Sequence, residues 1–389
     1  MIVLRRLGTG GIETATMTLA NAMAAAGHEV HLLVLKGQPI QQPSPDVIVH
    51  CRDIDREQRR SAAGMAWHLL SRLMLSPLIP QSGFIWQGWR CSRAFDAFVT
   101  DVEQQYGKLD QILIRGQGAF ELLWRVKDPR TWRVVEAVTG RFPENVLGRW
   151  LTRCLFKNHR VISVSEGVKA NLQAYLDAQG VSIETSHAIH NAVPFEAIRH
   201  SASAPPPDEI PGPFLVHVAR LVPVKRQCLL LEAFALARQQ GLQHRLVIIG
   251  DGSERARLEN LSQALGIDNA VDFLGHQANP YPWMARADAL VLSSRFEGLG
   301  IVLIEALALG TPCVATRAPG GINEVLVDEQ QQLITDATPE ALAAGMHRAV
   351  ASPIEVQPAW IERFSERRIV SQFLDLIDDR QEPADANHA

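Results

Sequence analysis

Residues 293–316 read SSRFEGLGIVLIEALALGTPCVAT, and this stretch decides the architecture. It follows a continuous apolar run, Ala289–Leu292, of strand rather than helix length. Gly298 and Gly300 then break the chain. The next residues, Gly300–Leu309, are apolar on almost every face, as in a buried helix. Gly310 stops that helix, and Pro312–Ala315 reads as a second strand. A strand, a helix and a strand with no hairpin turn form a β-α-β unit, whose strands run parallel.

The same alternation extends toward the amino terminus. Phe214–Val218 reads as a strand and Gln227–Gln240 as a helix. Arg245–Ile249 is a strand closing on Gly250-Asp251-Gly252, followed by a helix at Ser253–Ala264, a strand at Val271–Leu274 and a short helix at Tyr281–Ala287. In the first half, Met1–Arg5, Glu29–Leu35, Asp46–His50, Gln111–Ile114, Arg133–Ala137 and Arg160–Val164 have strand character, with a helix over Glu13–Ala26. Residues 201–213, SASAPPPDEIPGP, are proline-rich and aperiodic, so they predict a linker. The reading is an α/β fold of two Rossmann-like, doubly wound parallel-sheet domains, 1–200 and 214–358, facing a central cleft. A last amphipathic helix within 359–378 is expected to pack back on the first domain, and residues 379–389 to be disordered.

A chain of 389 residues, 47% hydrophobic and 21% charged, suits two globular domains. Five cysteines, odd in number and without a Cys-x-x-Cys pair, argue against a disulfide framework or a zinc site and for a reducing compartment. No secretory apolar region and no membrane-spanning run is visible, so a cytoplasmic location is expected. Charge is uneven: residues 1–200 hold 23 Lys and Arg against 18 Asp and Glu, whereas the overall charge is −4. A basic first half and an acidic second half suggest different partners.

Chemistry concentrates at the strand ends of the second half. Glu297 lies in the loop after Ala289–Leu292, where Gly298 and Gly300 allow a ligand to approach backbone. The following helix start favours an anion. Glu305 falls eight residues later, on the second turn of that helix. Two carboxylates flanking a bound diphosphate can each accept paired hydroxyls. Upstream, FLVHVARLVPVKRQCLLLEAFA (214–235) presents Arg220 and Lys225 directly after a strand, where cations hold phosphate oxygens. Each pair alone is an ordinary surface pattern; their coincidence is not.

The runs VARLVPVKRQCLLLEAFA, VIIGDGSERARLE, VDFLGH, FEGLGIVLIEALALGTPCVAT and GGINEV, with GTGGIE, LANAMAAAGHEVHLL, VISVSEGVKANL and IHNAV in the first half, resemble the family-four retaining glycosyltransferases of GT-B fold. The resemblance implies a nucleotide-sugar domain at 214–358 and an acceptor-side domain at 1–200. It implies that Arg220 and Lys225 hold the donor diphosphate and stabilise the leaving nucleoside diphosphate. Glu297 and the backbone of Gly298, Leu299 and Gly300 would hold the donor sugar, Glu305 the ribose hydroxyls, and Leu274 and Gly275 the base. Gly10 and Gly11 would approach the diphosphate from the first domain, with Glu13 stabilising its helix start. The implied reaction is hexosyl transfer from a UDP- or GDP-sugar, with retention, to a glycan or lipid-linked acceptor such as lipopolysaccharide core or another surface polysaccharide. No cofactor is implied, and no metal is expected in catalysis.

The sequence departs from that pattern at three places. Ala219 and Arg226 stand where relatives often carry glycine, and ILIRGQGAF (112–120) offers Arg115 and Gln117 where many relatives place a histidine. Residues 52–95 interleave seven arginines with Trp67, Leu69, Leu70, Leu73, Met74, Trp86 and Trp89. This pattern fits either adsorption to an anionic bilayer or a core helix pair with a basic outer face. Nucleic-acid binding is not indicated, since no binding fold accompanies the basic residues. Two other functions remain to be weighed: a non-catalytic sugar-nucleotide or glycan-binding module, which need not keep all four charged residues, and a nicotinamide oxidoreductase, for which GTGGIE is a poor G-x-G-x-x-G lacking a downstream acid.

Overall fold

The computed structural model describes residues 1–8, 10–75, 82–137, 140, 142–206 and 209–378. Contacts divide the chain into two units, one of Met1–Ala192 with the segment from Glu366, the other of Val193–Ser365. The first unit holds seven parallel strands: β1 (Ile2–Leu4), β2 (Val30–Val34), β3 (Val47–Cys51), β4 (Ile112–Arg115), β5 (Thr131–Val135), β6 (Arg160–Ser163) and β7 (Thr185–Ala188). Their order is β3-β2-β1-β4-β5-β6-β7. The second holds β8 (Phe214–Val218), β9 (Arg245–Ile249), β10 (Val271–Gly275), β11 (Ala289–Leu292), β12 (Cys313–Thr316) and β13 (Ile334–Thr335), in the order β10-β9-β8-β11-β12-β13.

Both sheets are doubly wound. Chain order runs outward on one side of β1, or of β8, and then restarts on its other flank, at β4 or β11. At such a reversal two successive crossovers leave in opposite directions, and a crevice opens beyond the strands' carboxyl ends. In the second unit the reversal brings together the loops after β8 and β11, which carry Arg220, Lys225 and Glu297. The crevice rests on a dry core: helix Gln227–Gln239 packs on Pro339–Ala351, with Leu230, Phe234, Leu342 and Met346 fully buried between helices and sheet.

The boundary differs from the one expected. The chain divides after Ala192, not at 201–213, and residues 207–208 of that linker lie outside the described residues. Phe195–Ala202, assigned from sequence to the first domain (1–200), is a helix of the second unit. It packs on helices Tyr281–Met284 and Ile301–Ala308, with Arg199 Nε donating to Ala308 O (3.3 Å) and Asn279 Nδ2 to Ser201 O (2.8 Å). The last helix is also not continuous over 359–378. Two 3-10 turns, Pro358–Trp360 and Glu362–Phe364, stay with the second unit, and only Glu366–Asp378 belongs to the first. There it lies against helix Gly11–Ala25, and Gln111 Nε2 donates to Phe373 O at 3.0 Å. The tail 379–389 lies outside the described residues.

Candidate active site

The loops after β8 and β11 are tied together before any ligand is considered. Arg295 N–H donates to Val224 O (2.8 Å), and Ser293 Oγ donates to Lys225 O (2.8 Å). Gln227 Nε2 donates to Arg220 O at 2.9 Å, which fixes the start of the first loop. Beside it the His217 ring is buried, and burial pushes its imidazole down to about 4, so it serves as a neutral packing and hydrogen-bonding group.

Across this junction Lys225 Nζ donates to Glu297 Oε1 at 2.5 Å. Ser294 Oγ donates to the same oxygen, also at 2.5 Å. Both donors use Oε1, so Oε2 keeps its acceptor capacity, with no partner among the described residues. Side-chain exposure is 19% for the lysine and 11% for the glutamate, enough for a ligand to reach the pair but not for water to screen it fully. Arg220 is exposed and has no ion pair among the described residues.

Glycine is required where these loops touch. The loop after β12 crosses Glu297 so closely that a Cβ on Gly320 would lie 1.6 Å from Glu297 O. Gly320 also has φ 111, and Glu297 N–H donates to Pro319 O at 3.1 Å. This backbone contact holds Glu297 against the loop after β12. Gly300 has φ 86, turning the chain into helix Ile301–Ala308 with no side-chain cap over the first amides. The helix therefore starts one residue later than Gly300, and Gly298, Leu299 and Gly300 form its approach.

Glu305 occupies the second turn of that helix and accepts from Tyr281 Oη at 3.1 Å. Burial pushes its carboxyl up to about 7, against a smaller downward pull from the tyrosine hydroxyl. Leu274 and Gly275 close β10, two strands away from β8; Gly275 O accepts from Gly250 N–H at 2.7 Å, so both belong to the same carboxyl edge. Gly10 and Gly11 lie in the first unit, at the start of helix Gly11–Ala25, and neither has positive φ. Gly10 makes room for the Glu13 carboxylate, which would stand 2.4 Å from an added Cβ.

Ser293, Ser294, Gln227 and Tyr281 were not legible as site residues. The two serines directly after β11 were the available signal, because polar residues at the carboxyl end of a buried strand stand at the crevice. Arg115 is engaged within the first unit. It is 2% exposed, with Nη2 donating to Glu136 Oε1 (2.6 Å) and Asn191 Oδ1 (2.5 Å), so it ties β4 to the ends of β5 and β7. Gln117 opens helix Gln117–Leu122.

Residues 205–367 match the family described as glycosyl transferases group 1. Lipopolysaccharide core biosynthesis glycosyltransferase LpsD of Rhizobium meliloti is 36% identical over 141 residues, 34% of this chain and 41% of its own length. Lipopolysaccharide 1,6-galactosyltransferase of Salmonella typhimurium is 27% identical over 226 residues, 56% of this chain and 60% of its own. The chain thus spans about half the length of the curated relatives it matches. Among solved structures, a glycosyltransferase from Rickettsia africae superposes with TM-score 0.69 at 16% identity over 98% of this chain and 99% of its own. Anabaena Alr3699/HepE in complex with UDP superposes with TM-score 0.67 at 18% identity over 97% and 99%. The fold is GT-B.

Arg226 caps helix Gln227–Gln239 with φ 51 and ψ 42, a left-handed conformation that glycine adopts without strain. This explains why glycine is usual there. Arg226→Gly is expected to stabilise the protein by about 0.5–1 kcal/mol, the relief of left-handed strain less the added freedom of the unfolded glycine. Arg226→Ala keeps the strain and should not stabilise. Urea denaturation midpoints check this, and a lower midpoint for the glycine variant would show that the arginine side chain outweighs its backbone.

Proposed function

We propose that this chain, carrying a group 1 glycosyl transferase domain over 205–367, moves a hexosyl group from a nucleoside-diphosphate sugar to a surface-glycan or lipid-linked acceptor with retention of configuration. The observation that carries it is the Lys225–Glu297 contact at the β8/β11 reversal, with Arg220 on the same loop. A diphosphate seated at the start of helix Ile301–Ala308 would meet the held ammonium of Lys225, the exposed guanidinium of Arg220 and helix-start amides without a side-chain cap. Glu297 Oε2 would accept from hydroxyls of the transferred sugar, and Glu305 from those of the ribose.

In the reaction proposed, the bond from sugar C1 to the β-phosphate oxygen breaks as the acceptor hydroxyl adds from the same face. Its proton passes to the departing phosphate oxygen, so no side-chain base is consumed. Arg220 and Lys225 lower the barrier because negative charge grows on that phosphate, and Lys225 is already held in place by Glu297. The two glutamates belong to one loop-helix unit, unlike a glycosidase pair that flanks the bond from two faces. The lipopolysaccharide names of the relatives, and the UDP bound to Alr3699/HepE, support a UDP-sugar donor and a surface-polysaccharide acceptor. The Asp-x-Asp of this chain, Asp53-Ile54-Asp55, is engaged at the start of helix Ile54–Arg60, where Asp53 accepts from Arg56 N–H and Asp55 pairs with Arg59; the two cations after β8 take the role of a divalent ion on the diphosphate, and the proposed reaction is metal-independent.

The acceptor reading includes contact with an anionic membrane. Among the described residues no helix is long and apolar enough to cross a bilayer. Helix Ala62–Leu70 and the π-helical turn after it instead expose Met65, Leu69, Leu70, Leu73 and Met74, with Leu73 70% exposed. Its other side is anchored: Trp67 Nε1 donates to Trp86 O at 2.8 Å and its ring packs against Trp89. A core helix pair would bury those apolar side chains; here they stand outward beside exposed Arg56, Arg60 and Arg72. Apolar residues flanked by arginines suit the interface of an anionic bilayer.

With a UDP- or GDP-sugar donor, Lys225→Ala and Glu297→Ala are expected to lower turnover by about 10²–10³ while preserving the folded spectrum, and EDTA to leave turnover unchanged. Unaltered turnover in both variants would overturn the assignment. Glu305 supplies a pH test. Its carboxyl is protonated up to about 7 in the free protein, while hydroxyl donors favour the ionised form, so binding at pH 6 should release a proton and weaken as pH falls. UDP-glucose is the suitable probe, since its phosphodiesters do not titrate near 7. Calorimetry in buffers of different ionisation enthalpy should register proton release that vanishes at pH 8.5 and in Glu305→Gln. By the same linkage, the raised carboxyl makes the folded state lose stability as pH rises from about 4.5 to 7. For the membrane, Leu69→Asp with Leu73→Asp should reduce cosedimentation with phosphatidylglycerol vesicles by about tenfold or more. Equal cosedimentation would remove this face from the account.

A further inference from the structure

The first unit has a second feature at the amino ends of its strands, the edge of the sheet opposite Gly10 and Gly11. A cavity of about 550 Å³ opens there between the starts of β5, β6 and β7, the end of helix Val146–Phe156 and the loop that leads into β5. Arg125, Lys127, Arg153, Lys157 and Arg160 line it. Two acids line it as well, and both are engaged: Asp128 pairs with Arg130 (2.6 Å) and Glu184 with Arg160 (2.7 Å). The other four cations have no ion pair among the described residues. His159, also in the wall, adds no charge, because burial and the neighbouring Arg133 and Lys127 hold its imidazole down at about 3.

Donors in this wall also lack acceptors. Arg125 Nη1, Arg160 Nη1 and Thr131 Oγ1 are buried and have no hydrogen-bond partner among the described residues. Thr131 is only 7% exposed and lines the cavity. Buried donors without acceptors are destabilising, and three of them lie in this one wall. The guanidinium groups are held in place rather than free to turn toward water. Arg125 lies over the Trp89 and Trp124 rings at 5.4 and 5.9 Å, and Arg160 over Trp132 at 5.5 Å. A cavity wall with about four unneutralised cations matches a group that carries two negative charges and several acceptor oxygens. The volume exceeds that of a bare oxyanion and leaves room for an attached polar moiety.

We propose that this cavity is a binding site for a phosphate monoester, held by the unneutralised charges of Arg125, Lys127, Arg153 and Lys157. The ester could reach the site as a phosphorylated sugar or as a lipid headgroup, and the chemistry recognised is the same. The site is separate from the loops after β8 and β11, so it stands whether or not the transfer reading does.

The test titrates the full chain with glucose 6-phosphate and, separately, glycerol 3-phosphate, following binding by calorimetry, with glucose as the uncharged control. Both esters are expected to bind and glucose not. Lys127→Ala combined with Lys157→Ala should weaken binding by about tenfold or more, the loss of two charge-assisted contacts, and both lysines are exposed enough for the variant to fold. Lys225→Ala should leave it unchanged. Tighter binding of the sugar ester identifies a free metabolite as the source, and tighter binding of glycerol 3-phosphate a lipid headgroup; either supports the site when the lysine variant loses it. Equal affinity in the double lysine variant, or loss of binding in Lys225→Ala, overturns the proposal, the latter by placing the phosphate in the second unit.

Discussion

The ion pair between Lys225 and Glu297 organises the second unit's crevice, because it joins loops that follow non-consecutive strands. Pairs at such depth add little to net stability, since desolvation of both groups offsets their attraction. Their value is positional. The lysine is held by a carboxylate that is itself held by Ser294 and by the loop at Gly320, so the ammonium has a defined direction before a ligand arrives. An arriving polyanion can share the lysine without dismantling the loop, because backbone bonds and not the ion pair fix the two strand ends. A transition state that gains charge on a phosphate benefits most from cations whose orientation is already set.

That arrangement rests on close backbone contact. Glu297 is pressed between the β8 loop and the chain at Gly320, and the reach of Lys225 depends on the left-handed turn at Arg226. The same economy of space accounts for Gly300, which turns the chain sharply enough to bring a helix start to the strand end. Local strain at Arg226 and close packing at Gly320 thus occur where a ligand would be bound, as expected when a site is positioned by tertiary structure rather than by local preference.

How much of this could be read from the residues depended on burial. β8, β9 and β11 begin and end where the apolar runs do, because strands buried on both faces show their limits directly. β7, TSHA, lies at a sheet edge and carries polar residues, and β13 is two residues long, so neither left a readable run. The unit boundary was hidden for a different reason. Proline marks where chain is irregular, but helix Phe195–Ala202 joins the second unit through contacts with residues about 80 to 110 positions away. Charges at strand ends were legible as types; which oxygen of Glu297 is occupied, and that Arg115 is sequestered by Glu136, are consequences of packing.

Arg115 also clarifies the charge of the first half. Several of its arginines are neutralised within the unit: Arg115 by Glu136, Arg130 by Glu103 and Asp128, Arg52 by Glu57 and Arg59 by Asp55. The basic excess seen in the sequence is therefore reduced, and what remains is uneven: exposed Arg5, Arg6, Lys36, Lys108 and Arg149 are scattered, whereas clusters stand beside the outward apolar face of helix Ala62–Leu70 and around the cavity at the amino ends of β5 to β7. Paired charges contribute little field beyond a Debye length, whereas clustered unpaired ones attract anions over several ångströms. Net charge alone thus indicated an anionic partner for the first half, and the pairing pattern determines where on that half such a partner can be held.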